Sequence, residues 1–71
     1  MTFEEYVVAV TRALLDNPTW RVGQTWFNVL VQNNFALAGE IRGTSLDPFY
    51  DDSVLSRFAT RVNADWDEYA T

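Results

Sequence analysis

The sequence predicts an all-α fold, a compact bundle of three main helices plus one short helix. Three observations support this fold class. Apolar residues recur at helical spacing, and no stretch sustains the alternation of a strand. The segment at 20–31 is apolar over more than half of a helical circumference, as is typical of a central helix. The chain has 71 residues, which makes one domain at 1–71.

Helix one is predicted from Phe3 to about Asp16. Thr2 and Glu5 fit a capping box, in which each side chain accepts a hydrogen bond from the other residue's backbone. Val8 and Leu15 lie off the main apolar stripe. We expect them to cover a second neighbour in the core, and the alternative is an exposed patch for a partner or a second copy. The stripe itself comprises Phe3, Tyr6, Val7, Val10, Ala13 and Leu14.

The central helix is predicted at about 18–33, with Asn17 as its cap and Pro18 in its first turn. Gly23 costs stability inside a helix, which indicates that another group packs close to the backbone there, and we expect an aromatic ring. The expected buried residues are Val22, Trp26, Phe27, Val29, Leu30 and Val31. The expected polar side comprises Gln24, Thr25, Asn28 and Gln32.

The third and fourth helices follow from local start and stop signals. Residues 35–42 form a short helix ended by Gly43, with Phe35, Ala38 and Ile41 as its buried side. Asp51, Asp52 or Ser53 then caps the last helix. Its apolar face comprises Val54, Leu55, Phe58, Val62, Trp66 and Tyr69. The last two either close the core, which their alignment favours, or form an exposed anchor for a partner.

The segment at 43–52 is the one long stretch without periodicity. Asp47 followed by Pro48 favours a turn. Large aromatic side chains are seldom left in solvent on a loop, so we expect Phe49 or Tyr50 to dock on the central helix near Gly23.

Charge and composition exclude several classes of function. Five arginines face ten carboxylates, which gives a formal charge of −5. Direct binding to nucleic acid or to an anionic membrane is therefore disfavoured. The absence of Cys and His removes the usual thiolate and imidazole groups. No positively charged segment precedes an apolar run, as it would in a signal peptide, and no apolar run approaches the length that crosses a bilayer. We therefore expect a cytoplasmic protein.

Two motifs resemble a family of short uncharacterised proteins from bacteria and their phages. The first is Trp20-Arg21-x-Gly23-Gln24-x-x-x-Asn28, and the second is Asp47-Pro48-Phe49-Tyr50-x-Asp52. The resemblance covers roughly residues 17–58 and implies a small helical cytosolic protein. The family has no established activity, so the resemblance implies none for this chain. This chain departs from the family in spacing, because two acids directly follow Tyr50. Either Asp51 or Asp52 is then the cap of the last helix.

Arg21, Gln24 and Asn28 form the first candidate cluster, at the start of the central helix. As a recognition site, the guanidinium grips a carboxylate or phosphate while the two amides read hydrogen-bonding edges. The structural alternative, which we favour, pairs Arg21 with an aspartate of the loop and uses both amides to hold that loop.

Asp47, Asp51 and Asp52 form the second candidate cluster. Oxygen ligands suit Mg²⁺ and Ca²⁺, but the spacing matches no regular calcium loop, and helix capping explains the acids more simply. We therefore predict no metal site and no cofactor. With Tyr50, the two clusters make up the candidate partner-binding residues: Arg21, Gln24, Asn28, Asp47, Tyr50, Asp51 and Asp52.

These observations predict a small acidic protein-interaction module that is not an enzyme. We expect it to be phage-encoded and to bind and modulate a host or cellular protein. The first alternative is a self-associating structural or assembly protein, for example a homodimer. The weaker alternative is a domain that binds a metal or ligand through its carboxylates.

Overall fold

A computed structural model describes residues 1–69 and confirms the all-α bundle. The elements are α1 (Phe3–Asp16), α2 (Val22–Asn33), α3 (Phe35–Ile41), a 3₁₀ turn (Asp52–Val54) and α4 (Leu55–Tyr69). No strand occurs in this part of the chain. None of the helices within residues 1–69 is long and apolar enough to cross a membrane. Helix α2 packs against α1 and α3, and its first turn meets the 3₁₀ turn.

Helix α1 begins with the predicted capping box. The Thr2 hydroxyl accepts a hydrogen bond from the Glu5 N–H at 3.1 Å, and the Glu5 carboxylate accepts one from the Thr2 N–H at 2.8 Å. At the other end, Asn17 donates from its side chain to the carbonyl of Ala13 at 3.0 Å. Asn17 therefore caps the end of α1, and the prediction that it starts α2 is wrong. Residues 18–20 form a turn, and α2 begins at Val22.

Tyr6 lies at the centre of the core, fully buried. Its ring stacks on Trp66 with centroids 5.1 Å apart and meets Trp26 edge-on at 5.8 Å. The phenol donates a hydrogen bond to the carbonyl of Trp26 at 2.6 Å. A single α1 residue thus joins α1, α2 and α4. The other buried apolar residues are Val10, Phe27, Val29, Leu30, Leu37, Ala38, Ile41, Val54, Phe58, Val62 and Trp66.

Two positions of α2 lie on the opposite side from the prediction, and Trp26 and Val31, which were expected to be buried, are only partly buried. Thr25 is fully buried, although it was expected on the polar side. Its hydroxyl donates to the carbonyl of Arg21 at 3.0 Å, so the polar atom is satisfied inside the helix itself. Val22 is exposed because it is the first residue of the helix and lies at the surface end. Phe27, Val29 and Leu30 are buried as predicted.

The rotation of α3 also differs from the prediction. Phe35 is 73% exposed, and Leu37 is fully buried in its place beside Ala38 and Ile41. Only Asn34 separates α2 from α3, and its N–H still bonds to the carbonyl of Leu30 at 2.7 Å. This short connection fixes the rotation of α3 relative to α2. The spacing of apolar residues alone does not predict that rotation.

The expectation that Val8 and Leu15 cover a core neighbour is wrong. They are 59% and 79% exposed because α2 and α4 pack on the opposite side of α1, where Tyr6 lies.

Helix α4 packs its apolar face inward as predicted. Trp66 is buried, and its indole N–H donates to the carbonyl of Met1 at 2.8 Å, which joins the two ends of the described chain. Tyr69 is partly buried against the core. The preference for a core role of these two aromatic residues is confirmed.

Candidate functional site

The start of α2 lies against the loop at 43–51, and Gly23 is the point of closest approach. A Cβ atom at Gly23 would lie 2.7 Å from Oδ1 of Asp52 and 3.1 Å from Cβ of Pro48, and closer still to the Pro48 carbonyl oxygen. The predicted close packing is confirmed. The neighbour is the backbone of Pro48, which is itself buried, and the prediction of an aromatic ring is wrong.

Asp52 supplies the cap of α2 from 29 positions further along the chain. Its Oδ1 accepts a hydrogen bond from the Gly23 N–H at 2.9 Å. The residue before the helix is Arg21, which has no side-chain acceptor, so α2 lacks a local cap of that kind. The Gln24 side chain accepts from the Arg21 N–H at 3.3 Å and satisfies a further donor. A carboxylate at this position also complements the positive end of the helix.

Arg21 holds the loop through a backbone atom. Its guanidinium donates a hydrogen bond to the carbonyl of Phe49. The guanidinium carbon lies 5.9 Å from the centre of the Tyr50 ring, within the range of a cation–π contact. The preferred pairing with a loop aspartate is wrong, although the expected contact with the loop is present. Among residues 1–69, the one ion pair joins Arg61 to Asp65.

Asp47 holds the loop from inside. One carboxylate oxygen accepts from the Gly43 N–H at 2.8 Å, and the other accepts from the Phe49 N–H at 2.9 Å. These bonds close the turn after α3, where Gly43 has a positive φ of 75°. The predicted turn at Asp47 and Pro48 is confirmed.

Asp51 caps the 3₁₀ turn that runs into α4. It accepts from the Ser53 hydroxyl at 2.6 Å and from the Ser53 N–H at 2.9 Å, and these bonds hold the pKa of Asp51 below its usual value. Each of the three loop aspartates therefore accepts from a backbone N–H. Across the described residues, no three acidic side chains form a group that could hold a metal ion.

Phe49 and Tyr50 differ in exposure. Phe49 is partly buried and meets Phe27 of α2 edge-on, with ring centroids 6.3 Å apart. The prediction that an aromatic residue of the loop docks on α2 is confirmed, but the contact lies one turn beyond Gly23. Tyr50 is 85% exposed, and its ring is 4.7 Å from that of Phe49.

A groove of about 380 Å³ lies beside Tyr50. Its lining comprises Phe27, Asn28, Val31, Arg42, Asp47, Phe49 and Tyr50, which we call the Tyr50 surface. The structure thus brings together three of the predicted site residues, Asn28, Asp47 and Tyr50. Arg21 borders this surface through its contact with the Tyr50 ring. Gln24, Asp51 and Asp52 do not line the groove, and their hydrogen bonds serve helix ends.

Comparisons with protein-family models, with curated proteins and with solved structures find no match for this chain. The resemblance to the short bacterial and phage proteins therefore stays a prediction, and a function for the chain has to rest on its own residues.

Sequence reasoning missed four residues of the Tyr50 surface: Phe27, Val31, Arg42 and Phe49. The guanidinium carbon of Arg42 lies 5.6 Å from the centre of the Phe27 ring, which brings a positive charge to the groove. Phe27 was expected in the core, and it is indeed buried, but it also lines the groove. No local pattern connects Arg42 with Phe27, because Arg42 directly follows α3 and Phe27 lies in α2.

Proposed function

We propose that this chain is a small protein-interaction module that binds another protein through the Tyr50 surface. The observation that carries this proposal is the 85% exposure of Tyr50 beside a groove with an aromatic wall. Tyrosine and arginine are enriched among the residues that dominate binding energy at protein interfaces. In keeping with the motif resemblance, we propose a phage-encoded protein that acts on a host protein in the bacterial cytoplasm.

Neighbouring residues contact the Tyr50 ring although it is 85% exposed. Phe49 contacts it on one side, the Arg21 guanidinium lies over it, and Asp47 holds the backbone of the preceding residue. Ordering a side chain at an interface costs about 0.5–1.5 kcal/mol, and a ring that is already ordered avoids part of that cost. An exposed aromatic residue with such contacts is the feature expected of a binding anchor.

The groove adds polar groups to this anchor. Asn28 offers an amide donor and acceptor, Arg42 a guanidinium, and Asp47 a carboxylate. A volume of about 380 Å³ accommodates one or two side chains of a partner, and it lies at the lower end of the range for small-molecule sites. The sequence also lacks Cys, a common nucleophile, and His, the commonest general base, which favours binding over catalysis.

The test is affinity capture from a bacterial lysate with tagged wild-type protein, followed by binding measurements with the purified partner. We expect Tyr50→Ala to lower the affinity by at least about thirtyfold, the effect of an interface residue worth about 2 kcal/mol. Phe35→Ala is the matched control, because Phe35 is also a highly exposed aromatic residue but lines a different groove.

A partner that binds Tyr50→Ala as tightly as wild type would contradict the proposal. Light scattering on the same proteins addresses self-association. A homodimer that Tyr50→Ala dissociates, with no heterologous partner captured, would mean that this surface serves assembly of the chain itself.

A further inference from the structure

The outer side of α1 carries a second groove that shares no residue with the Tyr50 surface. Its volume is about 630 Å³. Apolar side chains of Met1, Val8, Ala9 and Ala13 contribute to it. A second depression of about 270 Å³ is lined by Val8, Thr11, Arg12 and Leu15. Val8 and Leu15, both well exposed, therefore form an apolar ridge along α1 that no other element within residues 1–69 covers.

The charges around the larger groove are unequal in sign. Glu4 and Glu5 lie at one end of α1 and Asp16 at the other, with Arg12 between them, so the lining side chains carry a net charge of −2. The Glu5 carboxylate accepts a hydrogen bond from the Thr2 N–H, which holds its pKa below the usual value. The groove therefore has apolar side chains along α1 and acidic side chains towards both of its ends.

The distance between the acids indicates the length of a partner that fits the groove. Glu4 and Asp16 are twelve positions apart on one helix, which corresponds to about 18 Å at 1.5 Å per residue. A partner helix of about three turns spans the same length. Such a helix meets Val8 and Leu15 through apolar residues on one face and both acidic ends through basic residues at its own ends.

A second copy of this chain fits the charges poorly. If two α1 helices paired in parallel, Glu4 would face Glu4. If they paired antiparallel, Glu4 would face Asp16. Both arrangements bring like charges together at both ends, which is unfavourable at an interface.

We infer that the outer face of α1 is a docking site for an amphipathic helix of another protein, with apolar residues along one face and Lys or Arg at both ends. The juxtaposition that carries this inference is the exposed pair Val8 and Leu15 between the acids Glu4 and Asp16. The site is separate from the Tyr50 surface and does not depend on the function proposed for it.

The experiment is selection from a randomised library of helical 14-residue peptides on the immobilised full chain, with removal of peptides that also bind Leu15→Asp. We expect selected peptides to carry apolar residues at i, i+3 or i+4, and i+7, with Lys or Arg near both ends. Leu15 is 79% exposed, so its replacement leaves the core unchanged. Charge reversal at Glu4 and Asp16 is expected to lower affinity at least about tenfold, and raised salt to weaken binding further.

Tyr50→Ala is the control and is expected to bind the selected peptides as wild type does. The inference is overturned if no peptide distinguishes wild type from Leu15→Asp, or if the selected peptides are neutral or acidic at their ends. It is also overturned if the protein is a dimer that Leu15→Asp dissociates, because the face would then be occupied by a second copy.

Discussion

Gly23→Ala tests the contact on which the loop and the Tyr50 surface both depend. In an ordinary helix interior this change is stabilising by up to about 1 kcal/mol, since Ala has the higher helix propensity. At Gly23 the new methyl group would overlap the carbonyl oxygen of Pro48 and crowd the Asp52 carboxylate at 2.7 Å. Pro48 is buried and cannot swing away as a flexible side chain would.

The size of the effect follows from three contributions. Overpacking against a buried neighbour costs about 1–3 kcal/mol, and loss of the Asp52 cap costs about 1 kcal/mol. The gain in helix propensity offsets about 1 kcal/mol. We therefore expect a net loss of about 2 kcal/mol in the free energy of unfolding. For a chain of this length the melting temperature falls by about 8–16 °C.

Gly39→Ala is the matched control within the same protein. Gly39 lies in α3, and a Cβ placed there meets no atom within 4 Å. This substitution is expected to raise the free energy of unfolding by about 0.5–1 kcal/mol. The two Gly→Ala changes should thus have opposite signs in thermal or urea denaturation.

The combination with Asp52→Ala sharpens the test. If Gly23→Ala already displaces the Asp52 carboxylate, then Asp52→Ala costs less in that variant than in wild type, and the two effects are not additive. A Gly23→Ala protein as stable as Gly39→Ala would refute the reasoning, because it would mean that Pro48 does not lie against the helix.

Three further changes test the core and the caps. Trp66→Ala should cost about 3–5 kcal/mol, enough to unfold much of a domain this small, and circular dichroism at 25 °C will show lost helicity. Asp52→Ala should lower the melting temperature by about 4–8 °C through loss of a cap worth about 1 kcal/mol, whereas Asp67→Ala, on the exposed side of α4, should not. Burial raises the pKa of Tyr6 above its usual value of 10.0, so the native state keeps a proton that the unfolded chain loses. The free energy of unfolding should therefore fall by about 1.4 kcal/mol per pH unit above pH 10, and Tyr6→Phe should remove that slope in alkaline urea titrations.

Local interactions explain why much of the fold was predictable. The limits of α1 follow from a capping box and an asparagine that act within four residues of the helix ends. Gly43 ends the α3 segment by adopting a positive φ, and the apolar face of α4 is read from its helical spacing. Caps and periodicity have short range along the chain, so the sequence displays them directly.

The candidate site was only partly predictable. Its motifs indicated that Arg21, Gly23 and the loop belong together, and the structure brings them into contact. The partners within that contact were misassigned, because a carboxylate and a backbone carbonyl are equally reasonable acceptors for a guanidinium in sequence terms. The path of the loop in the folded protein determines both contacts. It places the Phe49 carbonyl where the Arg21 guanidinium donates to it, and it places the Asp52 carboxylate where it accepts from the Gly23 N–H.

By itself, the sequence determined the helical class, most helix limits, the acidic charge and the absence of Cys and His chemistry. The tertiary structure decided where α2 begins, how α3 is rotated and which apolar residues face solvent. These features depend on pairs such as Asp52 and Gly23, or Tyr6 and Trp66, which lie far apart along the chain. Periodicity shows which side of a helix is apolar, but burial depends on which neighbour packs there, and for Val8 and Leu15 no neighbour among the described elements does.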